Sequence, residues 1–144
     1  KEGEVILKKY SPIGELSEFA TQYAESLHKT SGHIAAITDK DTVIAVSGAP
    51  KKEFLEKRIS TDLEKIIEEK TTVVIKTAED RRVPIVQDEG TDKRYTAQVI
   101  STIISEGDPI GSVVLFSMDP AARMGEVEEK LAQSAAGFLG RQME

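Results

Sequence analysis

Leu16, Phe19, Ala20, Tyr23, Ala24 and Leu27 recur at spacings of three and four, and that period predicts an amphipathic helix running from Pro12 to about Lys29. Ser11 is placed to cap it, Pro12 suits its first position, Glu15 stands where a capping-box acid would, and Gly32 supplies a stop. Ahead of it, Val5, Ile6 and Leu7 sit between polar neighbours in residues 3–10, a short strand. After it come two apolar, partly β-branched runs, HIAAIT and TVIAVSG, separated by Asp39-Lys40-Asp41. Such a polar turn between two strand-like runs predicts a β-hairpin.

Ser47-Gly48-Ala49-Pro50 ends that hairpin, and KKEFLEKRISTDLEKIIEEK reads as one or two helices. Leu63, Ile66 and Ile67 share a face there, with Ser60 or Thr61 as cap. TVVIKT is a third strand, and residues 78–93 are a mobile loop with a brief extended stretch at Val83, Ile85 and Val86. Residues 95–104 and 109–117 are rich in β-formers around a Ser105-Glu106-Gly107-Asp108 turn, a second hairpin. Met124, Val127, Leu131, Ala135, Phe138 and Leu139 then return to helical spacing. Hairpins thus supply most of the sheet, so the expected fold class is α+β, an antiparallel sheet with helices on one face.

The two long helices stand at opposite ends of the chain, and each carries more apolar surface than one side of a sheet can cover. A partner subunit is therefore expected to pack on Leu16, Phe19, Tyr23 and Leu27 of the first helix and Val127, Leu131, Ala135 and Phe138 of the last, as a bundle across a two-fold axis. Ala132, Ser134, Ala135, Ala136 and Gly137 form a run of small residues in the last helix, which favours close approach of another helix over simple coverage of the sheet.

Composition narrows the function. The 144 residues contain no cysteine, which rules out disulfides and thiolate metal sites and points to a cytoplasmic location. A formal charge of -6, from 25 acidic and 19 basic residues, repels nucleic-acid phosphates. No apolar run approaches the roughly 18 residues of a membrane span. The start at Lys1, within a strand-like stretch, suggests a piece of a longer protein.

Catalytic candidates are scarce. His28 and His33 are five apart, a spacing that does not put two ligands on one helical face, and they lack a third ligand. Asp39 and Asp41 suit turn chemistry better than a metal. Neither a catalytic residue, a metal nor a cofactor is assigned. For an anionic or polar small molecule the candidates are Ser47, Lys51, Arg82, Tyr95 and Gln98, at strand positions or in adjoining loops, although a solvated loop is the leading reading of the basic ones.

The stretches GEVILKKYSPIGEL, DTVIAVSGAPKKEFLEKRIS, GDPIGSVVLFS and FLGRQME resemble, in order and across nearly the whole chain, the C-terminal sensory domain of the stage V sporulation protein T family. These are sporulation transcription regulators of spore-forming Gram-positive bacteria. The resemblance implies a GAF-like fold for residues 11–144: a central antiparallel β-sheet with terminal helices packed on one face and a pocket on the other. It implies that residues 1–10 are the tail of an N-terminal swapped-hairpin DNA-binding domain, or a linker. It also implies a homodimer through the terminal helices, a tetramer in the intact regulator, and DNA binding only through that other domain. A small-molecule effector of unknown identity is expected to shift the first helix. A ligand-free oligomerisation module is the alternative.

Overall fold

In the computed structural model the described residues are 17–75, 83–87, 95–119 and 121–142. The expected strand at 3–10, the helix start with Ser11, Pro12, Glu15 and Leu16, and Arg82 lie outside them.

Within that span the helix α1 covers Ser17–Ser31, followed by the strands β1, Ile34–Asp39, and β2, Val43–Ser47. Two helices come next, α2 at Lys51–Phe54 and α3 at Thr61–Glu68, then β3 at Thr72–Ile75. The long hairpin is β4, Ala97–Ser105, with β5, Asp108–Ser117, and the last helix α4 is Glu126–Gln142. The strands form one antiparallel sheet in the order β2-β1-β5-β4-β3, with the two hairpins joined by the β1–β5 pairing. The expected α+β class and hairpin topology are therefore what the chain adopts.

Strand alternation divides the apolar residues between two cores. Ala35 pairs with Leu115, Leu115 with Val99 and Val99 with Val74, and this row faces α1 and α4 together with Ala20, Ala24, Ala132, Ala135, Ala136 and Leu139. One residue on, Val46, Ala36, Val114, Ile100 and Val73 form the opposite row, facing Phe54, Ile59, Leu63, Ile67, Ile85 and Val86. Helix α1 lies over β1 and β2, and α4 over β4 and β5.

The small residues of α4 have a different partner from the one their sequence suggested. Ala132, Ala135 and Ala136 are buried against the sheet, and a Cβ on Gly140 would stand 2.1 Å from the Ile104 carbonyl oxygen. The close approach is helix to strand, and only Ser134 and Gly137 of that run remain on the outer surface.

Candidate functional site

On the short-helix face the cover is built by backbone and polar clamps. The Val43 N–H donates to the Lys57 carbonyl and the Glu56 N–H to the Val43 carbonyl, 3.0 and 2.8 Å, which ties residues 56–57 to the free edge of β2. Glu56 holds a left-handed φ of 64° to make that turn. The Ser60 hydroxyl caps α3 by accepting from the Leu63 N–H at 3.0 Å and donates to the Pro84 carbonyl. Residues 83–87 are strapped across this face: the Ser60 N–H reaches the Ile85 carbonyl and the Gln87 N–H the Arg58 carbonyl. At the other end the Gln98 amide donates to the Val83 carbonyl at 2.7 Å and accepts from its N–H at 2.9 Å.

Beneath the strap three aromatic rings pack together. The Phe116 ring lies 5.4 Å from Phe54 and 5.2 Å from Tyr95, the latter edge-on at 79°, a favourable aromatic geometry. Among the described residues the larger opening on this face lies at the sheet edge, a cleft of about 340 Å3 between α3 and β3. Its apolar lining is Ile66, Val73, Ile75 and Val83, with Asp62, Lys65 and Glu69 beside them. The volume falls at the lower end for a small-molecule site.

The candidate ligand residues are not gathered there. Ser47 pairs with Ala35 and so belongs to the row facing α1. Lys51 is exposed in α2, Tyr95 is packed against Phe116, and the Gln98 amide is fully engaged by Val83. In the sequence Ile66 reads as part of a helix face and Val83 as part of a short extended stretch, and no local pattern marks them as lining a cleft.

On the opposite face, α1 and α4 run antiparallel. At the start of α1 the rings of Phe19, Tyr23 and Phe138 form a triangle with centroids 5.4 to 6.3 Å apart. Phe19 and Phe138 are 36% and 37% exposed and Val127 is 68% exposed. Burial pushes the Tyr23 phenol pKa up. Leu131 is half-buried, whereas Leu27 and Ala135 are buried in the core beneath the helices. The expected interface residues thus separate into an outward set, Phe19, Tyr23, Val127 and Phe138, and a set that packs on the sheet.

The far end of the helix pair is polar. The His28 Nδ1–H donates to the His33 carbonyl at 2.8 Å, and His33 Nε2 lies 3.4 Å from Glu128 Oε2. The other Glu128 oxygen accepts the Gly125 N–H at 2.9 Å, so this acid closes the first turn of α4. Burial opposes its ionisation, but the backbone N–H groups of Gly125 and Glu128 and the His33 ring outweigh that and hold its carboxyl below the usual glutamate range. Asp39 Oδ1 accepts the N–H groups of Asp41 and Thr42, both at 2.7 Å, as a turn aspartate does. Among the described residues no three acidic or histidine side chains are grouped to hold a metal, and no helix is long and apolar enough to cross a membrane.

A five-stranded antiparallel sheet in this order, with terminal helices on one face and short helices over the other, is the architecture of a GAF domain. The GAF domain of a phosphoenolpyruvate-protein phosphotransferase from Coxiella burnetii superposes with a TM-score of 0.72 at 14% identity, over 89% of this chain and 82% of that one. The corresponding Acinetobacter domain gives 0.73 at 11% identity, over 92% and 87%. At sequence level, residues 15–144 match the family described as Stage V sporulation protein T C-terminal, transcription factor, and the chain belongs to that family. It is 47% identical over 144 residues to Stage V sporulation protein T of Bacillus subtilis (strain 168), covering all of this chain and 78% of that protein.

Proposed function

We propose that this chain is the regulatory part of a sporulation transcription factor, pairing with a second copy through its terminal helices and receiving a small effector on the opposite side of the sheet. Residues 11–144 constitute the sensory and dimerisation domain, and residues 1–10 the end of a DNA-binding domain or a linker. The role is one of binding in the cytoplasm, without catalysis. Effector occupancy alters the pose of α1 and with it the spacing of the DNA-binding units, provided the two poses differ in effector affinity.

The observation that carries the reading is the inversion of size across α1 and α4. Alanines with Leu27 and Leu139 face the sheet, while the rings of Phe19, Tyr23 and Phe138 gather at the outer seam, lining an apolar groove of about 250 Å3 with Gln22 and Ser26. Partly exposed aromatic rings gathered in a groove are enriched at interfaces between subunits. Analytical ultracentrifugation tests it: the chain sediments as a dimer, and Phe19→Ser with Phe138→Ser yields a folded monomer. A wild-type chain that stays monomeric at high concentration defeats the pairing.

For the effector half, a thermal-shift panel of nucleotides and amino acids is the measurement. A second reading, a ligand-free pairing module, is favoured by one specific observation, the closed Phe54, Phe116 and Tyr95 cluster in the middle of the sensing face. A panel in which nothing stabilises the protein selects that module over the sensor.

A further inference from the structure

The two sides of the sheet are joined by a continuous line of contacts that passes around its edge. Helix α2 carries Phe54 into the short-helix core, and residues 48–50 connect it directly to the end of β2. Gly48 in that link has a φ of +97°, and a Cβ there would stand 2.7 Å from both Cε1 and Nδ1 of His28. The imidazole of the last turn of α1 thus lies directly on the Gly48 backbone. That ring donates to the His33 carbonyl at 2.8 Å, while the His33 N–H donates to Ser31 Oγ at 3.0 Å. His33 reaches Glu128 at 3.4 Å, and Glu128 closes the first turn of α4 through Gly125.

We propose that Gly48, His28, His33 and Glu128 form the coupling element of the domain, carrying a displacement of α2 on the short-helix face to the first turn of α4 on the helix face. The aromatic triangle of Phe19, Tyr23 and Phe138 at the opposite end of the same helix pair acts as the pivot, and the histidine–glutamate contact as the latch. Packed elements move as units, and a link between them transmits motion when it has two discrete arrangements. The structure shows the closed arrangement, His33 on Glu128 at 3.4 Å; the second, in which Glu128 is released to serve α4 alone through Gly125, is part of the proposal. This deepens the proposed function by naming how its effector face reaches its pairing face, and it rests on that reading only for the direction of the signal.

Hydrogen exchange on the complete 144-residue chain tests it without an effector or DNA. The substitution Gly48→Ala forces a methyl against the His28 ring. Exchange at residues 125–131, which Gly48 does not bond, is then expected to accelerate about tenfold through local opening, with residues 19–23 at the pivot unchanged. Acceleration confined to residues 45–54 overturns the proposal. Should Gly48→Ala not fold, His33→Gln replaces it. Accelerated exchange at both 125–131 and 48–54 supports the coupling, and acceleration at 125–131 alone refutes it. A metabolite panel without hits counts against the sensor reading and leaves this result standing, so the two fail separately.

Discussion

The helix-covered face of the sheet and the short-helix face distribute side-chain size in opposite ways. Under α1 and α4 the core mixes the alanines Ala20, Ala24, Ala35, Ala45, Ala97, Ala132, Ala135 and Ala136 with aliphatic side chains such as Leu27, Ile37, Leu115 and Leu139 and, among the described residues, buries no aromatic ring, while Phe19, Val127 and Phe138 remain exposed. Under α2, α3 and the 83–87 strap, Phe54, Tyr95, Phe116 and several isoleucines are completely enclosed, while Asp62, Lys65 and Glu69 are exposed beside the cleft. One face holds its helices close and presents apolar groups outward. The other holds its large groups inward beneath a thin cover. The aromatic rings therefore contribute to folding on the short-helix face, and on the pairing proposed above those of the helix face would contribute to association.

The sharpest way to break that contrast is to truncate Phe116. Its ring is wholly buried and touches both Phe54 and Tyr95, so Phe116→Ala is expected to lower unfolding stability by about 3–5 kcal/mol. Chemical denaturation measures it. A loss below about 1 kcal/mol, far under the range for a packed aromatic, would mean that the space around the ring is an open pocket. On the other face, Phe138→Ser should weaken the proposed pairing by about 2–4 kcal/mol, as a central interface aromatic does, and should lower protomer stability by about 1–2 kcal/mol through the lost ring contacts with Phe19 and Tyr23. Sedimentation equilibrium and denaturation of the same sample separate the two effects.

A third test compares two glycines three residues apart on α4. A methyl at Gly140 meets the Ile104 carbonyl oxygen at 2.1 Å, whereas one at Gly137 meets nothing within 4 Å. Gly140→Ala should therefore cost about 1–3 kcal/mol by forcing the helix off β4, and Gly137→Ala should raise stability by up to about 1 kcal/mol through helix propensity. Opposite signs in thermal unfolding sharpen the assignment of the inner and outer sides of α4, and equal signs break it.

Much of the architecture was legible because it is periodic. The spacing of Ala20, Ala24 and Leu27 reports the buried side of α1 directly, and the nearly continuous β-formers of β4 and β5 report strands covered on both faces. Periodicity does not say what lies against that side, which is why the small residues of α4 read as a helix seam when they serve a strand. Ser47 fails for a related reason: its side of the sheet depends on the register with Ala35, and register is a long-range property. The strap was least legible, since Gln98 and Ser60 hold Val83 and Pro84 from 15 and 24 residues away, and no local pattern encodes such pairs. The turn role of Asp39, by contrast, is written in the spacing of Asp39 and Asp41.

The smallest effect concerns the polar end of the helix pair. Because hydrogen bonds from Gly125 and from Glu128's own N–H, together with His33, keep the Glu128 carboxyl below the ordinary glutamate value of 4.5, its ionised form is favoured by the fold. A carboxylate with a depressed folded pKa contributes stability that is complete above its unfolded value and disappears as pH falls through the folded one. Wild type should thus exceed Glu128→Gln in stability at neutral pH by about 0.3–1 kcal/mol, the size of a charge at a helix N-terminus. Below pH 4.5 the two unfolding curves should converge. A gap that persists into acid would show that the side chain acts by shape instead of charge, and the latch at His33 would then be a packing contact with no electrostatic hold on α4.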